Sequence, residues 1–339
     1  MRPYPTLLLL LLILCSCGPA HPPNGETAEA DATDSAAIRM IPITTPRGSY
    51  EVFTRRHGNN PDTKVLLLHG GPGANSSYFE VADDYFPAAG VEYYYYDQLG
   101  SLRSDVPTDT SLWTIERFVD EVDQVRRALG LDADNCYLLG HSWGGILGVE
   151  YALRYPDKLR GLIISNMMMD VPAYNRYATE VLEPALPPDT LAKLRAYEAA
   201  GDFGNPDYLS SVYANYYPRH VLRGPLEEWP EPVLRGFEGL NEQIYVGMQG
   251  PSEMGIKGNA SLRNWSRMAD LGSLDLPVLV ISGRDDTMDP AHLARVADAI
   301  PHGELLATDG THFAMWDDRD TYWPGVIDWL RRTEAADAD

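Results

Sequence analysis

The sequence is short of cysteine, of lysine and of long hydrophobic runs, and each shortage excludes something. Only three cysteines occur in 339 residues: Cys15, Cys17 and Cys136. No CxxC pair and no clustered His/Cys spacing offers a metal site, and no motif calls for a cofactor. Cys136 lies in an apolar, strand-like run and reads as a small buried hydrophobe rather than a nucleophile. Only four residues are lysine, and Asp plus Glu number 49 against 27 Lys plus Arg, a formal net charge of −22. A chain this acidic repels nucleic acid and anionic lipid surfaces, so neither is expected as a partner. The longest apolar run, Leu7 to Leu14, falls short of the roughly 20 residues that a membrane-spanning helix needs. No internal repeat is present. What remains is ordinary for a globular enzyme: 44% hydrophobic and 22% charged residues.

The N-terminus carries an address rather than a fold element. Arg2 followed by Leu7–Leu14 fits the apolar core of a secretory signal spanning residues 1–17. The ending Leu14-Cys15-Ser16-Cys17 resembles a bacterial lipobox, which makes Cys17 the expected lipid attachment point. Residues 18–37 are rich in Pro, Ala, Asp, Glu and Thr, lack apolar periodicity and read as a disordered linker. The expectation is a bacterial cell-envelope protein that meets the membrane only through its lipid. With Cys15 removed and Cys17 acylated, Cys136 has no disulfide partner.

From Ile38 the pattern becomes regular. Ile38–Thr45 and Tyr50–Arg56 read as a hairpin. Short apolar runs at Lys64–His69, Val91–Asp97, Cys136–His141, Leu159–Ser165, Leu276–Ser282 and Gly303–Thr308 read as strands. Helical spacing falls in 112–129, in Trp143–Tyr155, after Asp289-Pro290 and in 319–333. Alternation of this kind predicts an α/β fold: a mostly parallel sheet with helices on both faces. It breaks between 167 and 270, where Pro, Tyr and Met are frequent, and that stretch reads as a helical cap inserted into a catalytic domain of 38–166 and 271–334. The acidic tail from Glu334 is expected to fray.

Gly140-His141-Ser142-Trp143-Gly144-Gly145 joins an apolar strand to a helix, which is the G-x-S-x-G nucleophile elbow of the α/β-hydrolase fold. The turn forces strain on the serine and needs glycine on either side so that strand and helix can approach. Ser142 is the predicted nucleophile. A serine hydroxyl needs a base, and the order in this fold is Ser, acid, His. His312 follows the last strand, where the base belongs. His302 lies before that strand and His292 inside a helix, so both read as surface histidines. The acid follows the preceding strand: Asp286 is chosen, Asp285 is its rival, and Asp289 reads as a helix N-cap. The oxyanion donors are the N–H of Trp143 and one from His69-Gly70-Gly71-Pro72-Gly73, for which Gly71 is chosen because Pro72 has none.

Together these segments resemble the proline iminopeptidase family: HGGPG (His69–Gly73), YDQLGS (Tyr96–Ser101), GHSWGG (Gly140–Gly145), GRDD (Gly283–Asp286), GTHFAMW (Gly310–Trp316) and, in the cap, QGPSEM (Gln249–Met254). The resemblance covers about 40–330. It implies a serine aminopeptidase that releases an N-terminal residue, often proline, from short peptides. It also implies that Glu253 binds the substrate's free α-ammonium. The sequence departs from the family at Thr287, where a second amine-binding glutamate often stands, and at Leu102, where a glycine does. The first departure leaves open an esterase, lactonase or amidase with the same catalytic residues. Ser142 argues against epoxide hydrolases and haloalkane dehalogenases, which need Asp at the elbow.

Overall fold

The computed structural model describes residues 38–336. The signal segment 1–17, Cys17 and the linker 18–37 lie outside the described residues. The strands are β1 (Ile38–Thr45), β2 (Gly48–His57), β3 (Lys64–Leu68), β4 (Glu92–Tyr96), β5 (Cys136–His141), β6 (Gly161–Ser165), β7 (Val278–Gly283) and β8 (Gly303–Thr308). They form one sheet in the order β1-β2-β4-β3-β5-β6-β7-β8. The β1–β2 and β2–β4 pairs are antiparallel, and every pair from β4–β3 to β7–β8 is parallel.

The inner strands are apolar along their whole length because both faces are covered. Leu66, Leu138, Leu162, Ile164 and Val280 point into one core, while Val65, Leu67, Leu139, Ile163 and Ile281 point into the other. The four tyrosines of β4 divide the same way. Tyr94 and Tyr96 join the first core, and Tyr93 and Tyr95 the second. Each phenol finds a carboxylate: Tyr93 and Tyr95 donate to Asp83, Tyr94 to Glu92 and Tyr96 to Glu121. The strand is thus structural on both faces, as expected for aromatics on a pleated surface.

Helices α1 (Ile115–Ala128) and α2 (Trp143–Arg154) cover the first face. Thr114 caps α1 by accepting the Arg117 N–H, and Phe118, Val119, Val122 and Val125 form its buried stripe. On α2, Ile146, Leu147 and Val149 are fully buried, each contributing about 1.5–3 kcal/mol by leaving water.

Between β6 and β7 the chain leaves the sheet. It forms α3 (Val171–Tyr177), α4 (Pro188–Ala200), α5 (Pro206–Asn215), α6 (Glu231–Glu238) and α7 (Glu242–Met248). The side chains of Asp170, Asn205 and Asn241 cap α3, α5 and α7. Helix was expected as far as residue 270 but stops at Met248. Pro251 and three glycines with positive φ, at 250, 255 and 258, leave 249–260 as irregular chain, followed by one 3₁₀ turn at Ser261–Asn264. Asp289 caps α8 (Pro290–Ala299) by accepting the Ala291 N–H at 2.9 Å. The last helix, α9 (Arg319–Ala336), continues through Glu334 where fraying was expected, because glutamate and alanine are strong helix formers. No described helix is long and apolar enough to cross a membrane.

Candidate active site

The strand order reverses around β3, so the loops after β3 and β5 lie side by side at the carboxyl edge of the sheet, where open α/β sheets bind ligands. Ser142 sits at the end of β5 with φ 55° and ψ −125°, a left-handed conformation rare for any residue but glycine. Its N–H bonds Ser165 O at 3.0 Å and its carbonyl accepts the Gly145 N–H at 2.7 Å, so the sheet and the helix hold the strain. The flanking glycines are steric necessities. A Cβ on Gly140 would lie 2.0 Å from Gly144 O, and one on Gly144 would lie 2.0 Å from Leu68 O.

The structure brings His312 and Asp286 together. His312 Nδ1 donates to Asp286 Oδ1 at 2.9 Å, and both side chains are buried. Asp286 Oδ1 also accepts the Met288 N–H at 3.0 Å, and Oδ2 accepts Asn166 Nδ2 at 2.7 Å. Burial alone would lower the His312 pKa. The charge of Asp286, its hydrogen bond and the charge of Glu253 outweigh burial and hold it above 6.5. The other ring nitrogen, Nε2, is buried without a partner and belongs to the cleft that Ser142 lines. Contacts between nucleophile and base often tighten only with substrate in place.

Asp285 points away. It is 42% exposed and pairs with Arg223 at 2.7 Å, a hydrogen bond that lowers its pKa. His302 is exposed against Asp275. His292, expected at the surface, is buried on α8, where burial lowers its pKa; it has no place in the cleft.

The loop after β3 is fixed by two relays. In the first, Tyr78 Oη accepts the Gly70 N–H at 2.5 Å and lies 3.1 Å from His141 Nδ1, while His141 Nε2 lies 2.9 Å from His312 O. A carbonyl can only accept, so Nε2 carries the proton and Nδ1 accepts from Tyr78. Burial and the nearby His312 keep His141 neutral by lowering its pKa well below 6.5. In the second, Gln98 Oε1 accepts the Trp143 indole N–H at 2.9 Å and Gln98 Nε2 donates to His69 O at 2.9 Å. One side chain thereby ties the elbow to the loop. With the Gly70 N–H taken by Tyr78, Gly71 is the next donor along the loop. Its φ is 108°, and a Cβ there would meet Ala74 N at 2.6 Å. The Trp143 N–H opens α2 and has no carbonyl one turn back to bond.

The cleft has about 420 Å³ of empty volume. Ala74, Phe237, Leu240 and Phe313 make it apolar, and Glu253 is the carboxylate on its wall. Glu253 is buried. Its Oε1 accepts Tyr245 Oη at 2.6 Å, and its Oε2 has no partner. Burial raises its pKa above 4.5. Thr287 does not line the cleft; its hydroxyl bonds the Glu253 carbonyl at 2.8 Å. Leu102 is exposed, and its neighbour Arg103 pairs with the buried Asp97 at 2.7 Å. Among the described residues, no group of His, Cys, Asp or Glu is placed to hold a metal ion.

Sequence reasoning missed Asn166, Tyr78 and Tyr245. Asn166, directly after β6, has φ 55°, and an asparagine ending a strand is the one local hint of such a conformation. Tyr78 and Tyr245 carry no local signal.

A family model for the α/β hydrolase fold matches residues 63–319. The chain is 47% identical to a proline iminopeptidase of Elizabethkingia meningoseptica, over 86% of this chain and 97% of that one. It is 44% identical to a proline iminopeptidase of Chitinophaga pinensis, over 88% of this chain and all of the other. Among solved structures it resembles the proline iminopeptidase of Mycobacterium smegmatis, with 30% identity, a TM-score of 0.76, and coverage of 88% of this chain and 100% of that one. With the elbow, the loop after β3 and the buried carboxylate in one cleft, the chain belongs to the proline iminopeptidase family of α/β hydrolases.

Proposed function

We propose that this protein is a serine aminopeptidase that releases N-terminal residues, proline among them, from short peptides. The observation that carries the reading is a pair of buried, unpartnered polar atoms in one apolar cleft: His312 Nε2 and Glu253 Oε2. The first is a base awaiting a proton. The second is an anion awaiting a cation, and the α-ammonium of a peptide supplies one by a charge-assisted hydrogen bond. An esterase or lactonase would give Glu253 nothing to offset its burial.

Ser142 Oγ attacks the carbonyl carbon of the first residue while His312 Nε2 takes its proton. Asp286 holds the imidazole in the required tautomer and stabilises the imidazolium. The N–H groups of Gly71 and Trp143 hold the oxyanion. The imidazolium then protonates the departing amine, leaving an acyl-enzyme ester. Water attacks this ester with His312 again as base, which frees the amino acid and restores Ser142. Segment 167–270 acts as a cap: Phe237, Leu240, Tyr245 and Glu253 close the cleft from that side and limit it to a chain end.

The test compares prolyl- and alanyl-arylamides with their N-acylated forms and with simple esters. Free-amine substrates should be favoured. Glu253→Gln should lower kcat/KM for the free-amine arylamide by about 10- to 100-fold relative to the ester, the scale of one lost hydrogen bond to a charged group. Equal losses on both substrates would contradict amine recognition.

The protein acts in the bacterial cell envelope, tethered through a lipid on Cys17, with no membrane contact of its own beyond that anchor. The support is the run Leu7–Leu14 ahead of Cys15-Ser16-Cys17 and the linker-like 18–37. Cys17→Ala should move the activity from the membrane fraction to the soluble fraction. Unchanged partition would refute the anchor.

A further inference from the structure

Glu253 stands on irregular chain between α7 and β7, where no helix or strand ladder holds the backbone. Side-chain hydroxyls hold it instead. The Glu253 N–H donates to Tyr217 Oη at 3.1 Å. The Glu253 carbonyl accepts two bonds, from Tyr174 Oη at 2.5 Å and from Thr287 Oγ1 at 2.8 Å. Tyr174 Oη also accepts the Gly255 N–H at 3.2 Å. Thr287 has one proton, and it goes to the Glu253 carbonyl. Tyr216 Oη, 2.6 Å away, is therefore the donor to Thr287 Oγ1. Tyr174, Tyr216 and Thr287 are all completely buried, so each of these bonds is shielded from water.

Of these groups, Thr287 alone comes from the sheet side of the cleft. It follows Asp286, which orients His312. The tyrosines come from α3 and from the residues just after α5, all on the inserted segment. The threonine hydroxyl is thus the direct bond between the loop carrying the acid and the chain carrying the amine-binding carboxylate.

We propose that Thr287 is a positioning residue for amine recognition: its hydroxyl fixes the Glu253 main chain relative to Asp286, and so sets the distance between the bound α-ammonium and the attacked carbonyl. The proposal rests on the reading of Glu253 as the amine ligand. Thr287 touches neither substrate nor the reacting atoms. Its loss leaves Ser142, His312 and Asp286 in place but lets Glu253 drift, and misplacement of a bound substrate by about 1 Å is costly in rate.

The experiment uses Thr287→Val, which keeps the shape and removes the hydroxyl, with Thr287→Ser, which keeps the hydroxyl. Tyr216→Phe serves as a milder second probe, removing only the donor that pins the threonine. Each variant is assayed for kcat and KM on prolyl-arylamide and on a simple ester. Thr287→Val should lower kcat/KM for the arylamide about tenfold relative to the ester, mainly through kcat, the scale of one buried hydrogen bond. Thr287→Ser should restore the ratio to within about threefold, and Tyr216→Phe should shift it the same way by less than Thr287→Val. Equal losses on both substrates, no change in the ratio, or failure of serine to rescue would overturn the proposal. Glu253→Gln separates the two levels. If it fails to discriminate amine from ester, the amine reading falls. If it discriminates and Thr287→Val does not, only the role of Thr287 falls.

Discussion

Ser142→Ala should lower kcat by roughly 10⁵–10⁶-fold and leave the fold intact. The backbone at position 142 carries its strain in φ and ψ, not in the hydroxyl. Alanine has the same Cβ and meets the same surroundings, and the bonds from its N–H to Ser165 O and from Gly145 N–H to its carbonyl persist. What disappears is the only atom that can form the acyl-enzyme. Labelling by a fluorophosphonate probe should vanish with activity, while the melting temperature stays near that of the parent. Binding of a free-amine product should survive, because Glu253 lies across the cleft and is untouched. Retention of more than about a tenth of the parent kcat would refute Ser142 as nucleophile.

The second large effect is at Asp286. Asp286→Asn should lower kcat about 10⁴-fold, as loss of the orienting carboxylate does in other serine hydrolases. The carboxylate uses both oxygens as acceptors: Oδ1 for His312 Nδ1–H and Met288 N–H, and Oδ2 for Asn166 Nδ2. An amide at this position has one acceptor and turns an NH₂ on one of these donors. If it faces His312, the ring must accept at Nδ1 and carry its proton on Nε2, which is then no base. The pH profile offers a second reading. His312 must be neutral to accept the serine proton, and Asp286 holds its pKa above 6.5. Removing that charge lowers the pKa, so the acid limb of residual kcat/KM should move to lower pH. Asp285→Asn is the contrasting variant. Its carboxylate is half exposed and bound to Arg223, and its loss should change kcat by no more than about twofold. A reversed ranking of the two aspartates would assign the acid to Asp285.

The machinery of the sheet was legible in the sequence because it is written locally. The elbow occupies six consecutive residues, the loop after β3 five, and the strands declare themselves as apolar runs. His312 needed only the rule that the base follows the last strand. The far side of the cleft was illegible for the opposite reason. Tyr174, Tyr217, Tyr245 and Thr287 meet at Glu253 from four places in the chain, and no periodicity links them. Glu253 by spacing alone is one carboxylate among many; its burial and its unpartnered oxygen exist only in three dimensions. Thr287 stands where the family often has a second glutamate, yet its hydroxyl bonds the Glu253 main chain. The cap stops being helical at Met248 because Gly250, Gly255 and Gly258 take positive φ, which ends any helix there.

The tyrosines of β4 have a consequence for how the chain finds its register. In a strand with one buried face a slip of one residue turns apolar side chains outward, and hydropathy alone punishes the error. Tyr93-Tyr94-Tyr95-Tyr96 is nearly blind to such a slip, because a tyrosine would still face each core. The information lies instead at the tips of the rings. Asp83, outside the strand, receives Tyr93 and Tyr95, and Glu121 on α1 receives Tyr96. A shifted strand would aim its phenols at the wrong acids and leave buried hydroxyls unanswered. Two carboxylates thus spell out an alignment that four identical letters cannot.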